Sequence, residues 1–394
     1  MNTSFAGNWI NKFLSNNKII LSVYIIASIV ISIQLFSLGK KELLPNHAAY
    51  TQYNNYVIFK QSHVHLLQGK DIYKLYLDEC WDYYKYSPAF SLLFGVFAYF
   101  SDAIGFTLWS LLNALLLFYA IKYLPHIDDK KKNAILLFSL FELVTSLQNA
   151  QSNGLMGGLL IFTFGFLESK KYWLATLCIV CSIFIKIFGG VAFILFIFYP
   201  EKWKLILYSI FWTLVFFFLP LLVVSQDQLH FLYERWWILL GLDHAASNGL
   251  SVMNWLYTWF HLNIQKNIIL LVGMIILLLP LLRIKQYKNY LFHITMLASV
   301  LIWIVIFNHK AESPTFIIAF SGVAIWFFST KRKSLDLILF MVAFVFTALS
   351  ATDVFPATIR THYFVPYIIK VVPCIVVWIK IMYELLIDDY TNYI

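Results

Sequence analysis

Charge is scarce in this chain of 394 residues: Asp, Glu, Lys and Arg together make up 12%, against about 25% in an ordinary soluble domain. Hydrophobic residues make up 61% and aromatics 19%. A soluble core of this length cannot hide so much apolar surface, so a soluble globular fold is excluded. Cysteine is scarce as well, with four in all. Cys178 and Cys181 lie one turn apart in an apolar run without flanking ligands, and Cys80 stands alone. No disulfide framework follows, and the thiol pair reads as space-filling rather than as a metal or redox site. Linkers, low-complexity tracts and internal repeats are missing, so residues 1–394 read as one integral domain.

What the chain has instead is long apolar runs. "IILSVYIIASIVISIQLFSLG" (19–39) is the first, and others cover 134–150, 205–224, 267–282, 290–307, 314–328, 337–350 and 363–382. Runs of roughly 18 residues with few charges are membrane-spanning candidates, and without barrel alternation the spans are helical. The fold class is therefore an all-α polytopic membrane protein, with about 10–13 crossings. Parity fails at 88–124, which has two apolar stretches where one crossing is wanted, and the run at 173–200 is broken by "KIFGG". The net charge of +9 suggests nucleic acid at first sight. Its Lys and Arg, however, gather in short loops ("PHIDDKKKN", "ESKKYW", "EKWK", "RIKQYKN", "STKRKS"), as the positive-inside rule produces, with anionic membrane lipids as the natural partner. Nucleic acid is not a partner. Lys12 and Lys18 before the first run place the N-terminus inside as a retained anchor. The long segments 40–87 and 225–255 then lie outside, as aromatic-rich interfacial helices.

Polar groups inside apolar runs each need a partner or a wet cavity, because an ionisable group at the bilayer centre costs at least about 2.5 kcal/mol. Glu142, embedded in "LFSLFELVTSL", is a structural partner of a neighbouring helix or part of a pocket wall. Gln148, Asn149, Gln151 and Asn153 precede "GLMGGLL", whose small residues allow close helix packing. Lys186 either snorkels to an interface or presents an ammonium to a phosphate at a broken helix. In "NHKAESP", Ser313 and Pro314 read as a helix cap. His309, Lys310 and Glu312 beside them suit an anionic headgroup or sugar hydroxyls.

In that setting, "GKDIYKLY" followed by "YKYSPAFSLLF" and "FTLWSLLNA" resembles the start of glycosyltransferase family 87. Gly69, Asp71 and Tyr73 match its G-x-D-x-Y step, Tyr86, Pro88 and Phe90 its Y-x-P-x-F opening, and Trp109 and Asn113 its Trp–Asn pair. Gln151 and Asn153 look like its GQ-x-N segment. Lys186 in "FIKIFGG" looks like its K-x-x-P element, with Gly189 in place of Pro. "ASNGLSVMNWL" is similar to its N-x-S loop, through Asn248 and Ser251. The resemblance covers roughly 45–330. It implies a GT-C-like fold and an inverting, metal-free and cofactor-free transfer of a mannose-like hexose on the outer face of a plasma (bacterial inner) membrane. The donor would be a polyprenyl-phosphate sugar and the acceptor a lipid or glycan. No D-x-D occurs, so a divalent-cation nucleotide-sugar site is not supported. The implied site combines phosphate-binding cations, Lys186, Lys310, His309 or Arg360, with a carboxylate base. Where the family's proposed base is an early first-loop Asp, this chain has Asn54 and Asn55. Asp71, Asp82, Glu142 and Glu312 remain as candidate bases, with Asn54, Asn55, Tyr86, Asn149, Gln151, Asn153, Asn248 and Ser251 as substrate-binding candidates. Asp71 also reads as a plain turn residue after Gly69. Two other classes stay open: a transporter or flippase, motivated by Glu142 and Lys186 but lacking repeated halves, and a non-catalytic envelope scaffold.

Overall fold

The computed structural model describes residues 13–45, 47–330 and 332–390, so Lys12 and Lys331 lie outside the described residues. The chain is an all-α polytopic membrane protein. Its one sheet among the described residues is a two-stranded ribbon, β1 (Lys40–Lys41) against β2 (Tyr50–Thr51), antiparallel with Lys40 opposite Thr51. Among the described residues, three helices are long and apolar enough to cross a membrane: α1 (Asn17–Ser37), α5 (Asp102–Tyr123) and the 21-residue run Lys202–Leu222, which contains α9 (Lys202–Phe218). The pair Ala357–Phe364 and Ile369–Ile387 passes the same test only when its two pieces are taken together, and it is bent by 82°. Apart from 134–150, the other apolar runs form shorter helices of 10–17 residues, one of them beginning with α12 (Lys266–Leu278).

Local chemistry sets the helix starts. Asn16 Oδ1 accepts from the Lys18 and Ile19 amides at the head of α1. Asp128 Oδ1 accepts from Lys131 N at the head of α6 (Asp129–Gln148). Short polar side chains there satisfy amides that a first turn leaves orphaned. Ser87 caps α3 (Pro88–Leu93), which has Pro at its first position as the Y-x-P-x-F pattern requires. Ser313 differs from its expected role. It begins a 3-10 turn, Ser313–Thr315, while Glu312 N donates to Thr315 Oγ1 at 3.2 Å.

The parity difficulty at 88–124 resolves in α3 and α4 (Gly95–Ala98). These short helices pack on α2 (Asn54–Leu67) in the first long polar segment, leaving α5 as the long helix. Both long polar segments hold helices: α2 in the first, and α10 (Gln226–Ala246) and α11 (Val252–Phe260) in the second. The run at 173–200 is a hairpin-like pair. α8 (Tyr172–Ile185) ends at Lys186, whose backbone is extended, and the chain returns as a 3-10 helix, Ile187–Phe198. Gly189 is needed at this break, because a Cβ there would lie 2.4 Å from Ser182 Oγ.

Elements far apart in sequence meet at two ends of the bundle. At one end Asn17 and Lys122 join Asp129. Tyr290 there donates to the Pro125 carbonyl, and Glu168 receives Tyr199 and His293. The short basic loops gather at this end. At the other end Gln148 meets Gln34, and Asn55 meets Asn149. The core between them is built on α13 (Tyr290–Ile306) and α14 (Phe316–Ser329). Residues 292–306 and 316–326 are buried throughout, as expected for helices apolar on every side. α7 (Asn153–Glu168) seats against α5 through glycine. A Cβ on Gly158 would lie 2.9 Å from the Leu116 carbonyl carbon.

Candidate active site

At the second end lies a cavity of about 580 Å³. Its wall draws on five stretches of the chain: α2, residues 82–86, the turn before α7, the α8 break and the turn before α14, with α10 closing one side. Of the residues singled out from the sequence, Asn55, Asp82, Tyr86, Gln151, Lys186, His309, Lys310 and Glu312 line it.

Three of these form a chain. Lys186 Nζ donates to Asn153 Oδ1 at 2.7 Å and to Gln151 Oε1 at 3.4 Å, while Gln151 Nε2 donates to Glu312 Oε2 at 3.4 Å. An ammonium and a carboxylate thus face one cavity with an amide between them. The Lys186 ammonium also sits 5.7 Å from the Tyr86 ring centroid and 5.9 Å from that of Phe188. Lys186 therefore reaches inward to a polar cradle instead of snorkelling out.

The cradle has a scaffold, and it is the Trp–Asn pair on α5. Trp109 Nε1 donates to the Ala150 carbonyl at 3.2 Å, and Asn113 Oδ1 accepts from Leu155 N at 2.8 Å. Both side chains are buried, and between them they hold the 150–155 turn, in which Ala150 takes the left-handed conformation (φ 52°).

A family profile decides the class: that of glycosyltransferase family 87 matches residues 84–307, more than half of the chain. The chain belongs to glycosyltransferase family 87. It is a membrane glycosyltransferase, an enzyme that takes a sugar donor and an acceptor. No curated protein matches it. The matched stretch is narrower than the 45–330 read from motifs. It contains Tyr86, Gln151, Asn153, Lys186, Asn248 and Ser251, and leaves Asn54, Asn55, Asp71, Asp82 and the 309–312 turn outside.

The remaining candidates do not line the cavity of this family-87 enzyme. Asn54 Oδ1 accepts from Trp81 N at 3.1 Å, which orders the first segment. Asn149 closes the end of α6, donating to the Thr145 carbonyl and receiving Asn55 Nδ2 on its own carbonyl, both at 2.8 Å. Asn153 lies one step behind, as the acceptor of Lys186. Ser251 caps α11, and Leu250 N donates to the Ala311 carbonyl at 2.7 Å, so the 248–251 loop buttresses the 309–312 turn from outside. Arg360 pairs with Asp353 at 2.7 Å, away from the lining.

Two of the candidate bases are committed elsewhere. Asp71 is a turn residue, as one of its two readings had it: Oδ1 accepts from Tyr73 N at 2.9 Å and Oδ2 pairs with Arg235 at 3.1 Å. Glu142 follows the structural one of its two readings: it is fully buried and ion-paired with Lys370 at 2.6 Å, not part of the pocket wall. That pairing also removes half of the motivation for the transporter reading.

Several lining residues were not anticipated. Lys85 pairs with Asp82 at 3.0 Å, and Trp236 and Trp237 come from α10. Lys85 sits between Tyr84 and Tyr86 in the quoted opening motif, which was its only signal. The two Trp residues carried the ordinary signature of an interfacial helix.

Proposed function

We propose that this enzyme transfers a mannose-like hexose from a polyprenyl-phosphate donor to a hydroxyl of a lipid-linked or glycan acceptor. Transfer would be inverting, on a GT-C-like fold, at the outer face of a plasma membrane such as the bacterial inner membrane. The observation that carries the reading is the Lys186–Gln151–Glu312 chain facing one cavity. The Glu312 carboxylate takes the proton of the acceptor hydroxyl. The acceptor oxygen bonds to the anomeric carbon while the bond from that carbon to the phosphate oxygen breaks. The electron pair leaves with the polyprenyl phosphate, whose growing charge meets the Lys186 ammonium, a cation held in place by Asn153 and Gln151.

Glu312 is preferred over Asp82 because both Asp82 oxygens are occupied, one by Tyr83 N at 2.7 Å and one by Lys85. The Glu312 carboxylate takes the long contact from Gln151 and closes its own turn at the Thr315 amide, and its charge bears on the Lys186 ammonium. Asn55 lines the cavity where the family resemblance places a base, and its amide donates to a carbonyl, so a carboxylate elsewhere must do that work. An apolar wall of Ile58, Phe59, Ile185, Phe188 and Leu240 suits a prenyl chain beside the polar end.

The test supplies the purified enzyme in nanodiscs with labelled polyprenyl-phosphate hexoses and membrane-lipid acceptors. Label should move to an acceptor, and Lys186→Ala and Glu312→Gln should each lower the rate by about 100-fold or more. Absence of transfer from every hexose, or full activity in both variants, overturns the proposal.

A further inference from the structure

Helix α10 places Trp236, Trp237, Leu240 and Gly241 in the cavity wall, yet little packing holds it. Within 226–242 only Leu229 and Leu232 are fully buried, and Trp237 is 74% exposed. Its position is set by polar ties, and three of them lead to the first long polar segment. Gln228 Nε2 donates to the Lys70 carbonyl at 3.3 Å, Arg235 Nε pairs with Asp71 Oδ2 at 3.1 Å, and Trp236 Nε1 donates to the Lys85 carbonyl at 3.1 Å. Gln228 and Arg235 are seven residues apart, so they share one stripe of the helix, two turns apart. That stripe meets the Lys70–Asp71 turn.

The same turn is bolted to the cavity floor. Tyr76 OH donates to the Asp71 carbonyl, and Tyr73 OH donates to the Tyr86 carbonyl, both at 3.0 Å. The Tyr86 ring lies beside the Lys186 ammonium. Asp71 thus stands between two parts of the site, with one oxygen making its own turn and the other holding α10.

We infer that the Asp71–Arg235 ion pair is a positioning latch, which sets Trp236 and Trp237 against the floor built by Tyr86 and Lys186. It fixes the width of the site for the donor, and in that sense it rests on the proposed function. Neither residue touches the reacting atoms. Asp71→Asn separates the two duties of the carboxylate: the amide oxygen still caps Tyr73 N, while its NH2 group cannot accept from Arg235.

The test is a double-mutant cycle of Asp71→Asn and Arg235→Gln. Each single variant should raise the donor KM by about fivefold, the upper end for a partly exposed pair, with kcat within about twofold of wild type. The double variant should be no worse than either single one, and Arg235→Lys should recover part of the loss. A second readout needs no substrate. Hydrogen exchange of the full chain should accelerate over 226–242 in both single variants to the same extent as in the double, with 153–168 unchanged. Unchanged exchange over 226–242, additive KM effects, or a collapse of kcat at constant KM would overturn the latch. If wild type transfers nothing from a polyprenyl-phosphate hexose, the proposed function fails, and exchange alone decides the latch.

Discussion

Replacing Glu142 by Gln leaves the Lys370 ammonium inside the bundle without its counterion. The pair is 2.6 Å long, and its side chains are 0% and 7% exposed. Lys370 lies 5.5 Å from the Phe316 ring and, through its carbonyl, receives the Thr347 hydroxyl at 2.8 Å. It follows the break at which the C-terminal helix pair bends by 82°. Removing one partner of such a pair costs about 3–5 kcal/mol, because a buried charge is stranded, while removing both is close to neutral. Glu142→Gln and Lys370→Met should therefore each lower the thermal midpoint by about 4–6 °C. The double variant Glu142→Gln/Lys370→Met should return to within about 1 °C of wild type. Midpoints in one detergent, read by size-exclusion fluorescence, compare the four proteins, and sugar transfer is measured on each. A double variant as unstable as the singles would refute the ion-pair reasoning. A stable but inactive double variant would return Glu142 to the chemistry.

Two further outcomes follow from the scaffold. Asn113→Ala removes the acceptor of Leu155 N and frees the 150–155 turn, so it should cost about 1–3 kcal/mol of stability and lower transfer beyond the loss of folded protein. Normal activity per folded molecule would contradict the scaffold role. In the first long polar segment, burial pushes the Cys80 thiol up to about 11, although the Asp82 carbonyl that accepts its S–H pulls the other way. The thiolate is therefore sparse at pH 8, and native protein should resist iodoacetamide there while reacting once the pH passes about 11 or after denaturation. Rapid alkylation of Cys80 in the native state at pH 8 would contradict its burial.

The sequence exposed part of this site because lipid penalises polarity. Gln151, Lys186 and Glu312 stood out as groups that hydrocarbon would not tolerate, and they meet in one cavity. The same rule left Glu142 divided between a helix partner and a pocket wall. The cost of a buried carboxylate is equal whether a substrate or a lysine meets it, and Lys370 lies 228 residues away. Lys85, Trp236 and Trp237 could not be picked out, since basic and aromatic residues at a membrane interface are ordinary. The 88–98 stretch is as apolar as a span, and only its packing on α2 distinguishes it. Asp71 was visible as a motif residue, but its partner Arg235 lies on a helix whose placement no local pattern gives.

The most direct test of the Lys186-centred site is a structure of the enzyme with a polyprenyl-phosphate hexose bound. The phosphate is expected within hydrogen-bond reach of Lys186 Nζ, with the sugar between it and Glu312. A phosphate seated at the far end of α14 instead, among Arg332, Lys333 and Lys380, would contradict the account.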